Sequence, residues 1–209
     1  MTALAKVQGF VLAGGGSRRF GRDKALVEFH GEPLIARLLQ ILQAATATPA
    51  RIIGDAAKYS PTGAECIADR WSGEGPLGGI ITALDASNAS GAPDSWSLIV
   101  GCDMPFLTSE WLRHTAERAI ASRAEVVVPE STYGLEPLCA CWRASAVQTL
   151  SRAFESGIRR VTEAMKQLPM EVLDAADGKR FDNFDRLFWN MNTPADYEEA
   201  IRMLKAERS

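Results

Sequence analysis

The chain has 209 residues, 46% of them hydrophobic, and a formal net charge of −3. This length suits one large α/β domain or two small ones, and we expect a single domain over residues 1–209. The weak negative charge argues against bulk attraction to nucleic acid or to anionic lipid, and no stretch approaches the ~20 apolar residues of a membrane span.

The first residues and the cysteines predict the compartment in which the protein works. The first residues lack the basic and apolar regions of a secretory signal peptide. The four cysteines (66, 102, 139 and 141) show no pairing at zinc-binding spacing. We therefore expect reduced thiols and a cytoplasmic protein.

A glycine-rich segment with clustered cations follows the first predicted strand. The strand, residues 7–12, is apolar without alternation, as expected for a strand buried on both faces. The segment that follows reads LAGGGSRRFGRDK from Leu12 to Lys24. Its glycines leave room for a ligand to approach the main chain, and its cations suit the oxygens of a polyphosphate. The residues concerned are Gly14, Gly15, Gly16, Arg18, Arg19, Arg22 and Lys24.

Two common phosphate loops do not fit this segment. A Walker A loop ends in Gly-Lys-Ser/Thr, whereas Gly21 is followed by Arg22 and Asp23. A dinucleotide fingerprint starting at Gly14 would meet Arg19 at its last glycine position. A surface turn with solvated arginines is the alternative, and the order of strand, glycines and cations favours a nucleotide loop over it.

Strands and helices alternate along the rest of the chain. We predict further strands at residues 25–29, 51–54, 65–68, 97–102, 125–129, 135–142 and 170–173. We predict helices at residues 34–42, from about 77, and at 110–122, 144–154, 159–168 and from 193 onward. Pro33 suits the first position of the first helix, and Thr193 suits the cap of the last, with Pro194 next and the acid Asp196 three residues on. This alternation predicts one Rossmann-like α/β domain of three layers, with a mostly parallel sheet covered on both faces.

Two acidic residues follow predicted strands, where open parallel sheets bind their ligands. Asp103 follows the apolar strand at 97–102 and can hold Mg²⁺, which takes one or two carboxylates together with phosphate oxygens and water. The alternative is an acid that caps the helix starting near Thr108. Asp69 is placed either to orient ribose, base or a coordinated water, or to cap a turn.

These segments, in this order, resemble the molybdenum cofactor guanylyltransferases (MobA family). The family signature is LAGG, then Arg-Met-Gly and Asp-Lys, and Phe20 replaces its methionine here. The matching residues are Leu12 to Gly15, Arg19, Gly21, Asp23 and Lys24. The segment Cys102 to Leu107 is similar to the metal-binding Cys-Asp-x-Pro segment of the family. The resemblance implies a fold like that of the nucleotide-diphospho-sugar transferases.

The resemblance also implies roles for individual residues. The nucleotide contacts that it implies are Leu12, Ala13, Gly14, Gly15, Gly16, Lys24, Gly54, Asp69, Gly78 and Asp103. Gly54 stands where the family often has asparagine, so it offers only its backbone, and Asp55 is a substitute. The catalytic residues that it implies are Arg19, Lys24 and Asp103, with Asp103 as the metal ligand.

The second substrate is expected near the carboxyl end of the chain. By resemblance, Asn190 and Asn192 lie near the pterin, and Arg159 reaches the phosphate of the second substrate. The alternatives are capping of the last helix by the asparagines and solvation of the arginine. His30 and His114 have no evident catalytic partner, and we expect both at the surface.

The reaction that the resemblance implies is transfer of GMP from GTP to the terminal phosphate of molybdopterin, with Mg²⁺ as cofactor. A phosphate nucleophile is already ionised, so the reaction needs no general base. The alternatives are CTP on the same pterin, a nucleoside triphosphate on a sugar phosphate, and a nucleotide-binding regulator without chemistry. By resemblance, Ala13-Gly14-Gly15 favours guanine. We also expect transient contact with proteins that deliver molybdopterin or accept the product, and none with nucleic acid or membrane.

Overall fold

The computed structural model describes residues 3–14, 23–89, 95–181 and 183–206, in which strands and helices alternate. The strands are β1 (Val7–Ala13), β2 (Glu28–Phe29), β3 (Glu32–Pro33), β4 (Arg51–Gly54), β5 (Cys66–Ile67), β6 (Trp96–Gly101), β7 (Val126–Ser131), β8 (Gly134–Leu135), β9 (Cys139–Arg143) and β10 (Met170–Leu173). The α-helices are α1 (Leu34–Thr46), α2 (Ala56–Tyr59), α3 (Pro76–Asn88), α4 (Ser109–Ala121), α5 (Val147–Glu155), α6 (Val161–Ala164), α7 (Ala175–Gly178), α8 (Phe184–Leu187) and α9 (Pro194–Ala206). Short 3-10 helices are Ala3–Lys6, Lys24–Leu26, Ser60–Thr62, Ala144–Ala146 and Met165–Gln167.

The main sheet has the strand order β10-β7-β9-β6-β1-β4-β5, with β8 paired to β7. Strand β1 lies between β4 and β6 and is parallel to both. The pairs β4–β5 and β7–β10 are also parallel. Strand β9 is antiparallel to both of its neighbours, β6 and β7. The prediction of an α/β fold with a mostly parallel sheet is confirmed.

Helices cover both faces of the sheet, and each face has its own apolar core. Successive residues of β6 alternate between the cores, with Leu98 and Val100 in one and Ile99 in the other, because neighbouring side chains of a strand point to opposite faces. Buried residues of α1, α4 and α9 belong to the first core, and those of α3 and α5 belong to the second. Across the described ranges, no helix is both long and apolar enough to cross a membrane.

Several predicted boundaries differ from the structure for local reasons. The predicted strand at 25–29 begins instead as a 3-10 helix, which Asp23 caps by accepting the Ala25 N–H. Pro33 precedes α1 rather than forming its first residue, because it pairs with Glu28 in the small sheet β2–β3. The predicted strand at 135–142 is divided into β8 and β9, and Pro137, which cannot donate a ladder hydrogen bond, lies between them.

The predicted start of the last helix is confirmed in detail. Thr193 Oγ1 accepts a hydrogen bond from the Asp196 N–H at 3.2 Å, and Asp196 Oδ2 accepts from the Thr193 N–H at 2.7 Å. This reciprocal pair is a capping box. Asp196 Oδ2 also accepts from the Asn192 N–H at 2.8 Å. The cap of α9 therefore fixes the backbone of the segment that contains Asn192.

The two histidines differ in exposure. His30 is exposed, as predicted. The prediction for His114 is wrong, because only 8% of this residue is exposed. Its ring packs against Trp111 and Phe181, and burial, followed by the charge of Arg180, lowers its pKa. His114 is a core residue of α4.

Candidate active site

A cavity of about 340 Å³ opens where β1, β4 and β6 end. Its wall consists of Leu12, Ala13, Gly14, Lys24, Ile53, Asp69, Gly73, Gly75, Pro76, Gly79, Gly101, Cys102, Asp103 and Leu138. The amino end of α3 reaches the wall through Pro76, and a helix amino end favours anions. The cavity therefore lies where parallel α/β sheets bind their ligands, as predicted.

Lys24 joins two other predicted site residues that are distant in the sequence. Its Nζ lies 3.3 Å from Asp103 Oδ2 and 3.0 Å from Asn192 Oδ1. Only 13% of the Lys24 side chain and 21% of the Asp103 side chain are exposed. The Met191 N–H donates to the Asp103 carbonyl oxygen at 2.8 Å, which attaches the segment before α9 to the end of β6. The structure thus brings a cation, a carboxylate and an amide together at the cavity.

The second carboxylate oxygen of Asp103 is buried and has no hydrogen-bond partner among the described residues. A Cβ atom at position 101 would lie 2.7 Å from this oxygen, so the approach of the carboxylate requires Gly101. A carboxylate with one buried, unsatisfied oxygen at the wall of this cavity fits Mg²⁺, which commonly takes one or two carboxylates and completes its shell with phosphate and water. Within the described ranges, no three His, Cys, Asp or Glu residues group around a metal position.

The helix cap considered as an alternative for Asp103 belongs to another residue. Thr108 Oγ1 accepts the Trp111 N–H at 3.3 Å and caps α4. Asp69 caps a turn, which was its alternative interpretation, and its contact with a nucleotide stays a prediction. It lines the cavity, and its Oδ1 accepts hydrogen bonds from the Trp71 N–H at 3.0 Å and from Thr82 Oγ1 at 3.5 Å. The turn that Asp69 caps therefore holds its carboxylate at the cavity wall.

Two predicted nucleotide contacts, Gly54 and Gly78, make close contacts within the fold. A Cβ at position 54 would lie 2.2 Å from the Ala13 carbonyl oxygen, and one at position 78 would lie 2.8 Å from Trp71 Cβ. Within the described residues, neither glycine belongs to the cavity wall. Asp55, the substitute for Gly54, caps α2 by accepting the Ala57 N–H at 2.9 Å. Contact of these positions with nucleotide stays a prediction.

The other predicted nucleotide contacts divide into two groups. Those that line the cavity are Leu12, Ala13, Gly14, Lys24, Asp69 and Asp103. Gly15, Gly16 and Arg19 lie outside the described residues, so their roles stay predictions.

The predicted pterin contacts do not all lie together. Asn192 reaches Lys24, as described above. Asn190 donates to the Phe188 carbonyl oxygen at 3.1 Å and borders a separate depression of about 190 Å³ beside Tyr133 and Trp189.

Arg159 is exposed, as its alternative interpretation expected, and it also has partners at the surface. Its Nη2 lies 2.8 Å from Glu74 Oε2, and its guanidinium carbon lies 3.8 Å from the centre of the Phe154 ring. Glu74 stands between Gly73 and Gly75, which both line the cavity. In this structure Arg159 therefore contacts the loop of residues 73–75 that precedes α3.

Sequence reasoning missed several residues of the wall, including Ile53, Gly73, Gly101 and Leu138. Leu138 reaches the cavity because the Gly101 N–H donates to its carbonyl oxygen at 2.8 Å, where antiparallel β9 meets β6. The Glu136-Pro137-Leu138 segment also resembles the family, and it was the signal in the sequence that could have indicated Leu138. Glu136 itself is buried and accepts from Ser131 Oγ at 2.7 Å, and burial raises its pKa.

Comparisons with known proteins agree with this geometry. The MobA-like NTP transferase domain matches residues 9–169. A probable molybdenum cofactor guanylyltransferase from Opitutus terrae is 33% identical, with 93% of this chain and 94% of that protein covered. A molybdenum cofactor guanylyltransferase from Rhodopseudomonas palustris is 32% identical, with 92% and 91% covered.

A solved structure shows the same fold. The crystal structure of molybdopterin-guanine dinucleotide biosynthesis protein A from Archaeoglobus fulgidus superposes with a TM-score of 0.79 at 27% identity, and the match covers 95% of this chain and 99% of that one. The family match covers most of the chain, including the strands that form the cavity and the carboxylate of Asp103. The chain belongs to the family of MobA-like NTP transferase domains.

Proposed function

We propose that this protein transfers GMP from GTP to the terminal phosphate of molybdopterin and releases pyrophosphate. The observation that carries the proposal is the contact of Lys24 with both Asp103 and Asn192 at the cavity. It places a cation, a carboxylate and an amide from three distant segments at the carboxyl ends of the strands. The names of the relatives from Opitutus terrae and Rhodopseudomonas palustris supply the substrates of this proposal.

The bond changes of this reaction are simple. A phosphate oxygen of molybdopterin forms a bond to the α-phosphorus of GTP, and the bond from that phosphorus to the bridging oxygen of the β-phosphate breaks. The electron pair of the broken bond leaves with pyrophosphate. Because the attacking phosphate is already ionised, the protein contributes by positioning the reactants and by neutralising charge.

The chain's own residues can supply these contributions. The Lys24 ammonium is close enough to the cavity to exchange its contact with Asp103 for a phosphate oxygen. Gly14 presents its backbone at the wall without a side chain, and no atom of the described residues lies within 4 Å of the position that a Cβ would take. The amino end of α3, which reaches the cavity wall through Pro76, adds partial positive charge. Arg19 stays a predicted contact of the triphosphate.

Asp103 is the residue that would hold Mg²⁺, because its buried Oδ1 lacks a hydrogen-bond partner in the described part of the chain. When bound, the metal would neutralise charge on the phosphate oxygens. The metal held by Asp103 and the Lys24 ammonium would thus both neutralise phosphate charge.

The acceptor side of the proposal depends on the segment before α9. Asn192 contacts Lys24, which lines the nucleotide cavity, and the capping box of α9 fixes the backbone of Asn192. Asn190 and Arg159 are proposed pterin contacts on the resemblance alone. Transient contact with proteins that deliver molybdopterin or accept the product also remains a proposal.

The test is pyrophosphate release with Mg²⁺ and molybdopterin, with GTP, CTP, ATP and UTP supplied in turn. We expect release with GTP alone and none when molybdopterin is omitted. Release with CTP would keep the chemistry and overturn the guanine preference. Release only when a sugar phosphate replaces molybdopterin would overturn the acceptor. Nucleotide binding without release with any acceptor would instead indicate a binding protein.

A further inference from the structure

Asp23, the residue before Lys24, is held by a part of the chain that lies outside the cavity wall. Its carboxylate accepts a hydrogen bond from the Ala25 N–H at 2.9 Å and another from the Tyr59 hydroxyl at 2.9 Å, and it pairs with Lys58. Only 12% of the Asp23 side chain is exposed. Tyr59 and Lys58 both belong to α2, so this helix holds the end of the glycine-rich segment.

The Tyr59 ring is itself fixed by packing. The residue is 2% exposed, and it forms part of the core that also contains Ala13 and Ala25. A Cβ at position 54 would lie 3.0 Å from Tyr59 Cε2 and 2.2 Å from the Ala13 carbonyl oxygen. The absence of a side chain at Gly54 therefore lets the Tyr59 ring lie beside the end of β1, where its hydroxyl reaches Asp23.

Lys24 is the first residue of the 3-10 helix that Asp23 caps. The direction of its side chain depends on the backbone at this point, and its ammonium group reaches Asp103 and Asn192. A hydrogen bond that fixes Asp23 therefore also fixes the point from which the Lys24 side chain leaves the backbone.

We infer that Tyr59 is a positioning residue for the nucleotide site, acting through Asp23 on Lys24. The inference rests on the proposed function for its link to GTP, but the position of Lys24 can be measured without any substrate. It also assigns a physical role to Gly54, which is to make room for the Tyr59 ring.

The first test measures Lys24 itself. The Lys24 amine is acetylated with acetic anhydride in the absence of nucleotide, and the extent is read by mass spectrometry of peptides. In Tyr59→Phe, which keeps the ring and removes one hydroxyl, we expect Lys24 to react several times faster than in the wild type. Tyr197→Phe is the control, because it also removes one hydroxyl, which donates to the Glu28 carbonyl oxygen at 3.0 Å. It should leave the reactivity of Lys24 unchanged. Equal Lys24 reactivity in Tyr59→Phe and wild type would overturn the inference.

The second test is a double-mutant cycle on kcat/KM for GTP. Tyr59→Phe removes a hydrogen bond to a charged group, so we expect kcat/KM to fall about tenfold in the wild-type background. In the Lys24→Ala background, we expect no further loss, because residues that act as one unit are not additive. The same loss in both backgrounds would show that Tyr59 acts independently of Lys24 and would overturn the inference.

A variant that changes Asp23 separates positioning from damage to the core. Asp23→Asn should raise Lys24 reactivity as Tyr59→Phe does, and combining the two should raise it no further. An additive increase would contradict the route through Asp23. If the wild type transfers no nucleotide, the proposed function fails while the acetylation experiment still decides the role of Tyr59.

Discussion

Lys24 and Asp103 have opposite charges and lie in contact, yet the proposed reaction uses each separately. Lys24→Ala removes the cation that would neutralise phosphate charge, and Asp103→Ala removes the carboxylate that would hold the metal. We expect each variant to lower turnover by about 100-fold or more, which is the size measured for other charge-stabilising groups. Steady-state pyrophosphate release gives the rates.

The control for these variants is Lys166→Ala, which removes an exposed charge from the 3-10 helix Met165–Gln167. It should leave turnover unchanged. Circular dichroism spectra should match for all of the variants, so that lost activity is not lost folding. Near-normal turnover by a folded Lys24→Ala or Asp103→Ala variant would remove the role proposed for that residue.

Two glycines of neighbouring strand ends should respond differently to the same substitution. Gly54→Ala places a Cβ 2.2 Å from the Ala13 carbonyl oxygen, and we expect it to lower the free energy of unfolding by about 1–3 kcal/mol, as overpacking does. Among the residues that the structure describes, no atom lies within 4 Å of the new Cβ in Gly14→Ala, so the free energy of unfolding should change by less than about 0.5 kcal/mol.

Nucleotide binding should show the opposite order. The Cβ in Gly14→Ala points into space that a phosphate would need for close approach to the backbone, so GTP affinity should fall while stability stays constant. Urea denaturation and titration with a fluorescent GTP analogue measure the two effects. Loss of stability in Gly14→Ala, or unchanged stability in Gly54→Ala, would contradict the roles read from the structure.

At the scale of elements, the sequence predicts what periodicity and local chemistry determine. The alternation of strands and helices and the Thr193 cap are confirmed because each depends on neighbouring residues. Periodicity carries no strand direction, so the antiparallel β9 was not foreseen. Helices of four residues, such as α2, are too short for a periodic signal.

The same distinction applies to the site. The motif predicted Lys24 and Asp103, and the end of β6 placed Asp103 at the sheet edge. Their contact with each other and with Asn192 depends on how distant segments pack, which no local pattern contains. The resemblance assigned Gly54 to the nucleotide, whereas its close approach to Tyr59 is visible only in three dimensions.

The link between α2 and the Lys24 segment should make stability depend on pH. Burial alone would raise the pKa of Asp23, but hydrogen bonds from Lys58, Tyr59 and Ala25 outweigh burial and lower it below its ordinary value of 3.8. A carboxyl group with a lowered pKa stabilises the fold above its unfolded-state pKa and loses this contribution as pH falls through the folded-state value.

Asp23→Asn should therefore be less stable than the wild type by about 1–2 kcal/mol at neutral pH. The difference should shrink as pH falls below about 4, because Asp23 of the unfolded wild type is protonated first, and it should be smallest once pH has passed the lowered pKa of the folded state. Urea denaturation of both proteins at several pH values measures this difference. A difference that stays constant down to the acid limit of folding would show that the charge of Asp23 does not contribute.

At the scale of the whole molecule, the two apolar cores share the strands that separate them. Leu98 and Ile99 are adjacent in β6 and lie in different cores. Loss of either core would remove the packing from one face of the same strands. We therefore expect residues 1–209 to unfold as one cooperative unit, which corresponds to the single domain predicted from the sequence.

One leucine on each face tests this expectation. Leu38 of α1 and Leu84 of α3 are fully buried in opposite cores. Leu38→Ala and Leu84→Ala should each lower the free energy of unfolding by about 2–5 kcal/mol, and in both variants circular dichroism and tryptophan fluorescence should report one coincident urea transition. Two separate transitions, with each variant shifting only one of them, would divide the chain into two units. A single shifted transition in both variants would mean that the strands that form the cavity unfold only when both cores unfold. The site would then be as stable as the whole fold.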